Sequence, residues 1–583
     1  MTAHTGLPRT VTSSPAAAPT AAAAPGRLVA VALLAVIIAI ASLRLVGLEH
    51  LVLWHDEVYT LLRVFGHRVT DGWALLFSDQ ILGPDQLLAL QRPDPAHGLA
   101  DTWRELTGHP EHAPLYYLLG WLAARLPLDP VVALRGTSAL FGLLLPAAAF
   151  WLMRELFGRG PAPWIAALLV ACSPLHLLYA QEARQYALWT LLTVAASAAL
   201  VRALRCPEPC EGAAADAGNQ PGRRHWMPAG STRAWSLYAL LLAAGLYTHL
   251  LFALLLPVHA VYAWLDAVQR SGRLLRPGAL PWRPWIAAAG TALLLFLPWA
   301  LVVLHGLDQA LEYTSWMGRQ VGVADLFAGW GNLLVRSAVD VWPVAPPTRA
   351  LLLVVPIAVA VVVYLLRAPR PARWLLPLIA LAYAAVVLVP DLVAGGVRSL
   401  HGRYTLPALL AVQLMLAWTL GALLAAGPAG RLAGAGALAT LVALGLASHG
   451  QIARAEVWWN KNINLTALTP RAIAVLHAQQ RPFLIVGAND TALGQALAVA
   501  HALDPGVRIL GIRRQTPAGL VPPDVEQALV LIPTRSVRDA LGPGWSVEPW
   551  DDGGTWALAS ARDTHSSPAP SGSTHDHDSQ APR

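Results

Sequence analysis

Long apolar runs alternate with short polar turns along most of the chain, and the runs recur at a length that suits a membrane. A hydrocarbon core of about 30 Å takes about 20 helical residues to cross, and about eleven stretches come near that length. They cover 28–48, 131–153, 163–180, 186–204, 234–253, 254–268, 285–304, 349–366, 374–392, 405–426 and 432–449. The division inside 245–268, where the run is nearly continuous, is the least defined of these boundaries. Residues 50–130 break the pattern as one large mixed loop, with short one-sided helices expected over Asp71–Phe77 and Gln86–Gln91. Pro114–Leu126 is apolar, yet at about 13 residues it is too short to cross, so it reads as a juxtamembrane or re-entrant helix. That choice sets the side of every later turn.

Beyond residue 450 the period changes. Phe483–Gly487 reads as a buried strand, 491–503 as a helix, and 507–512, 528–532 and 555–559 as further strands. Together they predict a small extracytoplasmic α/β domain over 451–560. The turn at Gly487-Ala-Asn-Asp lacks a glycine-rich nucleotide fingerprint, which favours a structural or acceptor-facing module. Residues 1–26 and 561–583 are rich in Ala, Pro, Ser and Thr, or in Ser, Pro, His and Asp, and are expected to be disordered. The run at 28–48 has no small-residue cleavage site after it and reads as a retained anchor.

Composition agrees with a polytopic membrane protein. The chain is 56% hydrophobic and 13% charged, with mean hydropathy +0.49, whereas a soluble chain carries about 25% charged residues. The net charge of +7 lies in arginines of short turns, which is a topology signal and not one for nucleic acid. Arg154 and Arg159 fall in one predicted inner turn, and Arg202, Arg205, Arg223, Arg224 and Arg233 in the next. Arg270, Arg273, Arg276 and Arg283 share a third, and Arg367, Arg370 and Arg373 a fourth. The N-terminus is therefore expected inside and the 50–130 loop outside the cytoplasmic (inner, plasma) membrane. The Cys206-Pro-Glu-Pro-Cys210 spacing lacks the two further ligands a zinc site needs. The tail sequence His575-Asp576-His577-Asp578 could take up metal adventitiously.

With this topology the unusual polar residues gather on the outer face. Trp54-His55-Asp56-Glu57-Val58-Tyr59 leaves the first span, and Glu111, His112, Tyr116 and Tyr117 precede or open the short apolar helix. Tyr179 through Glu182 and Arg184 to Tyr186 form an outer turn. Tyr247-Thr248-His249, then Glu312, Tyr313 and Trp316, then His401, Arg403 and Tyr404 complete the set. Singly, each has an ordinary structural alternative: His249 can bond within a bundle, and Arg403 can snorkel. Ionisable groups at membrane depth are costly, and a set of them on one side points to a surface site. Arginine suits phosphate and a carboxylate can take a hydroxyl proton, a combination that fits transfer from a lipid-linked phosphate.

The ordered motifs resemble membrane glycosyltransferases of family 39, the protein O-mannosyltransferases and lipid A aminoarabinose transferases, whose fold is called GT-C. The resemblance rests on Trp54-His55-Asp56-Glu57, His112-Ala113-Pro114-Leu115-Tyr116-Tyr117, the stretch from Ser173-Pro174 to Tyr186, Tyr247-Thr248-His249 and Arg403-Tyr404-Thr405-Leu406-Pro407-Ala408, across about 28–450. It implies an all-α GT-C membrane domain over 27–450 and inverting transfer of a sugar from a polyprenyl-phosphate donor to an acceptor hydroxyl. Asp56 is implied as the catalytic base with Glu57 as a supporting acid, and Arg184 and Arg403 as ligands of the donor phosphate. His55, Tyr59, His112, Tyr116, Glu182, Tyr186 and Tyr404 become substrate-binding candidates. A divalent metal is the one cofactor suggested, on His249 with Glu111 or Glu182. The chain departs from the pattern at Ala113, at His55 and in a longer stretch between Asp71 and His109. That stretch borders the acceptor side, so lipid, protein and polysaccharide acceptors all stay open. A transporter of lipid-linked sugars or a non-catalytic envelope assembly protein are the rival classes. The first would show internal repeats and midplane polar groups, and neither is visible.

Overall fold

The computed structural model describes residues 26–205, 229–271, 282–313, 315–341, 347–550 and 554–562. The Cys206–Cys210 pair, Arg223, Arg224, Arg273, Arg276 and the His575–Asp578 tail lie outside the described residues. Each of the eleven predicted stretches coincides with helix. Among the described residues, eight helices are long and apolar enough to cross a membrane alone. The pair Ala162–Cys172 and Pro174–Ala180, bent by 58°, passes the same test of length and apolarity when taken together, as a broken span or a re-entrant loop would. The other two positions are held by Ala229–Leu246 and Pro347–Arg367.

The bend replaces the straight 163–180 run for a local reason. Pro174 has no N–H to continue the first helix and disfavours helical geometry at Ser173 before it. Ser173 is extended instead, at φ −68° and ψ 119°, and its hydroxyl caps His176 N–H. The carbonyls freed at the end of the first helix are taken by buried Arg44, which donates to Val170 and Ala171 at 2.8 and 3.1 Å. The softest predicted boundary also moves. The chain breaks at Tyr247–His249 and not at 253, because His249 is extended and its Nδ1 accepts Leu251 N–H at 3.2 Å. His249 thus sits in the turn between the two helical segments.

The first loop and the C-terminal region form one packed body. The predicted strands appear as β2 (Phe483–Gly487), β3 (Arg508–Ile512), β4 (Gln527–Leu531) and β6 (Trp556–Ala561), joined by β5 (Trp545–Pro549). Strand β1 (Ile81–Leu82) comes from the first loop and pairs antiparallel with β3, Ile81 opposite Leu510. The sheet order is β1-β3-β2-β4-β6-β5. First-loop residues Leu61, Leu62, Leu76 and Leu87 share a buried core with Leu493, Leu497, Ile509 and Leu529. The expected short helices are present as Val69–Leu76 and Pro84–Ala89, and Leu115–Ala123 stays short as the sequence predicts.

One close approach fixes the helix that carries the acids. A Cβ on Gly494 would lie 2.6 Å from His55 Cβ and 3.1 Å from the Tyr59 hydroxyl, and Tyr59 Oη donates to Asp490 O at 2.8 Å. Gly494→Ala gains up to about 1 kcal/mol of helix propensity, but overpacking typically costs about 1–3 kcal/mol. The expected outcome is a lowered melting temperature, read on purified protein.

Candidate functional site

The site is built at one end of the bundle around the helix His55–Val64. Trp54 is extended at φ −137° and ψ 166°, so the helix starts with Asp56 and Glu57 in its first turn, where carboxylates favour the exposed N–H groups. At 3.6 residues per turn, neighbours point about 100° apart, and the two acids meet different surroundings.

Asp56 sits between Arg403 and His55. Its Oδ2 accepts from Arg403 Nη1, which comes from the start of the Gly402–Ala425 span. Its Oδ1 lies 3.2 Å from His55 Nε2. Its carboxylate keeps 17% exposure. Burial pushes the carboxyl up, but Arg403 first, then His55, Arg184 and His401, outweigh it and hold it well below the usual carboxylate range. Arg184 stands alongside, its Nη1 3.3 Å from Asp56 O, 3.2 Å from Thr60 Oγ1 and 3.5 Å from Tyr117 Oη. Aromatic faces back both guanidinia: Tyr186 lies 5.7 Å from Arg184, and Tyr404 and Trp54 lie 5.3 and 5.8 Å from Arg403. The Nε atoms of Arg184 and Arg403 are buried with no hydrogen-bond partner among the described residues. Two orphaned guanidinium donors beside one carboxylate are costly unless an anion completes them.

Glu57 is fully buried. Arg135 grips it with Nε and Nη2, both at 2.8 Å, Lys461 Nζ is 2.6 Å away, and Ala183 N–H donates at 2.9 Å. Every acceptor direction on this carboxylate is taken, so its geometry is that of a strut. Burial raises its pKa, while Arg135 and Lys461 pull it down further than burial lifts it. Both Asp56 and Glu57 therefore titrate lower folded than unfolded. Their stabilisation is full above the unfolded value and is lost only as pH falls through the folded one. The difference in melting temperature between wild type and Glu57→Gln should stay constant from about pH 7 to 5 and shrink only below about pH 4.

The other candidates divide. Tyr186 and Tyr404 lie against the two arginines, and His249 stacks on Trp189 at 4.0 Å with Tyr186 and Tyr404 rings at 6.3 and 6.5 Å. Glu111 Oε1 lies 3.5 Å from both His109 and His112; His109 meets Tyr313 at 5.1 Å and Trp316 meets His401 at 5.1 Å. Apart from these groups, an open cavity of about 630 Å³ is lined by Thr107, Leu301, Val302, His305, Gly306, Asp308 and Gln309. Three candidates are turned to internal tasks. Tyr116 is buried and bonds Leu134 O and Ser138 Oγ at 3.0 and 2.8 Å. Tyr59 ties the acid-bearing helix to the α/β domain. Glu182 is buried under Asn460 Nδ2 at 2.9 Å, and burial, opposed by Lys461, raises its pKa. His249 and Glu111 do not join a group of three metal-ligand side chains; among the described residues that grouping occurs elsewhere, at His67, Asp94 and His97.

Arg135, Asn460 and Lys461 escaped the sequence reading. Signals were there: Arg135 is an ionisable group inside an apolar run, and Lys461 is the one lysine in the chain.

Neither a family model nor a curated protein matches this sequence. Solved structures do match. Against ArnT from Cupriavidus metallidurans bound to undecaprenyl phosphate, the TM-score is 0.51 at 12% identity, covering 94% of this chain and 100% of that one. The oligosaccharyltransferase AglB from Archaeoglobus fulgidus scores 0.44 at 13% identity, covering 92% and 75%. The arabinofuranosyltransferase AftD from Mycobacteria scores 0.39 at 16%, covering 94% and 40%. The likeness to ArnT is one of fold, and the fold is GT-C.

Proposed function

We propose that this chain is a glycosyltransferase that moves a sugar from a polyprenyl-phosphate donor to an acceptor hydroxyl at the outer face of the cytoplasmic membrane. The observation that carries the reading is the pair of buried arginines, each with an unpartnered Nε, flanking Asp56. A dianionic or monoanionic phosphate ester would complete both guanidinia, and charge-assisted guanidinium–phosphate contacts are among the strong ones. The GT-C fold shared with a protein solved with undecaprenyl phosphate supports the same donor class.

The chemistry follows from the geometry around Asp56. In the resting site Arg403 neutralises its carboxylate and depresses its basicity. Donor phosphate competes for Arg403 and Arg184, which frees Asp56 to accept a proton. The acceptor oxygen then attacks the anomeric carbon as its proton passes to an Asp56 Oδ. The bond from that carbon to the phosphate oxygen breaks, and polyprenyl phosphate leaves with its charge held by the two arginines. One carboxylate in reach of the acceptor and one displacement give inversion at the anomeric carbon. Tyr404, the part-exposed one of the three aromatics backing the arginines, supplies an edge for the sugar or the isoprenoid. Among the described residues Glu111 and His249 are not brought together as one metal-donor set, and each step above is carried by Asp56, Arg184 and Arg403.

The test is to incubate membranes holding the protein with a panel of labelled polyprenyl-phosphate monosaccharides and follow the label. Transfer into lipid, protein or polysaccharide supports the reading and names the acceptor class. No consumption of any donor across the panel contradicts it.

A further inference from the structure

We propose a divalent transition-metal site, of the zinc class, at the neck of the first outer loop, held by His67, Asp94 and His97. It is independent of the glycosyltransferase reading and lies outside the residues that build the Asp56 site. One ligand-type atom from each of the three side chains lies within 4.8 Å of the other two. His97 Nδ1 stands 2.9 Å from Asp94 Oδ2, and the two imidazoles face each other at 4.1 Å between ring centres and 45° between planes. His67 is only 6% exposed, and its Nε2 is buried with no hydrogen-bond partner among the described residues. A buried imidazole nitrogen without a partner is costly to keep. One nitrogen of the same ring lies within 4.8 Å of ligand atoms on a histidine and a carboxylate.

Local structure prepares the ligands and leaves the neighbours out. Asp94 Oδ1 accepts Ala96 N–H at 2.9 Å, which fixes the carboxylate plane, and Leu62 O accepts His67 N–H at 2.9 Å, which fixes the end of the acid-bearing helix. The surrounding charges are already used. Arg68 is paired with Glu105 at 3.2 Å, and Asp101 accepts from Gly98 N–H and Arg104, each at 2.8 Å. A donor set of two imidazoles and one carboxylate selects zinc, cobalt or nickel over the hard ions magnesium and calcium. Side-chain exposures of 31% for His97 and 37% for Asp94 leave the fourth position to water. A metal there would replace the proton shared by His97 and Asp94.

The placement says what such a site does. Between His67 and Asp94 the chain makes an excursion through the helices Val69–Leu76 and Pro84–Ala89 and strand β1, which docks on the C-terminal sheet. His67 marks its exit and Asp94 with His97 its return. A metal clip across the neck closes that excursion and limits the opening of its ends.

The test uses the full-length purified protein, equilibrated with zinc chloride and then freed of loose metal, with zinc per chain measured by elemental analysis. Wild type is compared with Asp94→Asn and His97→Ala, two substitutions at partly exposed positions that leave the buried His67 in place. Wild type is expected to hold one more zinc per chain than either variant. EDTA should lower its melting temperature to that of the variants, which should not respond. Zinc taken up by the histidine-rich tail is common to all three and cancels. Equal zinc in the three proteins, at zero or at any other number, overturns the site. A chelator response of the same size in the variants overturns the clip. Neither result bears on donor consumption, so the two proposals fail separately.

Discussion

Asp56→Asn is expected to reduce sugar transfer by about 10²–10⁴-fold, the usual contribution of a positioned general base. That is about 3–5 kcal/mol of barrier at 1.36 kcal/mol per factor of ten. The amide keeps the shape of the side chain and still reaches Arg403, but it cannot take the acceptor's proton. Donor binding should survive, because the proposed phosphate ligands Arg184 and Arg403 are untouched and Arg403 no longer has a competing anion. The loss should therefore appear in kcat, with KM for the donor unchanged or lower. Arg403→Met is the contrasting variant: it removes a phosphate ligand and should raise KM for the donor. A variant with Asn at 56 that loses donor binding instead of turnover would assign Asp56 to binding.

Glu57→Gln, one residue further along, is expected to fail in a different way. Its carboxylate is the common counter-ion of Arg135 and Lys461, all three essentially without exposure. Neutralising it leaves two buried cations facing an amide, and breaking a buried ion pair typically costs about 3–5 kcal/mol. A large drop in melting temperature should accompany any loss of activity, and Lys461→Met should show the same pattern from the opposite end of the chain. If Glu57→Gln melts like wild type and yet loses transfer, Glu57 belongs to the chemistry and the strut assignment fails. The strut also explains why a lysine sits just past the last span. It ties the segment Trp459–Lys461 to the first loop and to Ala183 through one carboxylate.

What could be read from the chain follows from which forces are local. Span positions were legible because crossing a bilayer demands a run of fixed length, and strands β2, β3, β4 and β6 because buried strands are short apolar runs. The bend at Ser173 was written in the Ser-Pro pair but needed the freed carbonyls and Arg44 to become visible. Strand β1 was not legible, since two residues carry no period and only pairing with β3 makes them a strand. At the site, the types of residue were legible and their division of labour was not. Asp56 and Glu57 are adjacent in sequence, and only the helical rotation sends one to Arg403 and the other to Lys461, 404 residues away. Tyr59 and Tyr116 look like binding aromatics in sequence, yet their hydroxyls are spent on Asp490 O and on Leu134 O with Ser138.

The most direct measurement is a single-turnover reaction of purified, lipid-embedded protein with a polyprenyl-phosphate sugar it accepts, following donor and released polyprenyl phosphate by mass spectrometry. Wild type should convert bound donor to polyprenyl phosphate in step with glycosylated acceptor. Asp56→Asn, with its melting temperature checked, should hold the donor bound and leave it about 10²–10⁴-fold slower to react. Equal single-turnover rates for wild type and Asp56→Asn would contradict the account at its centre.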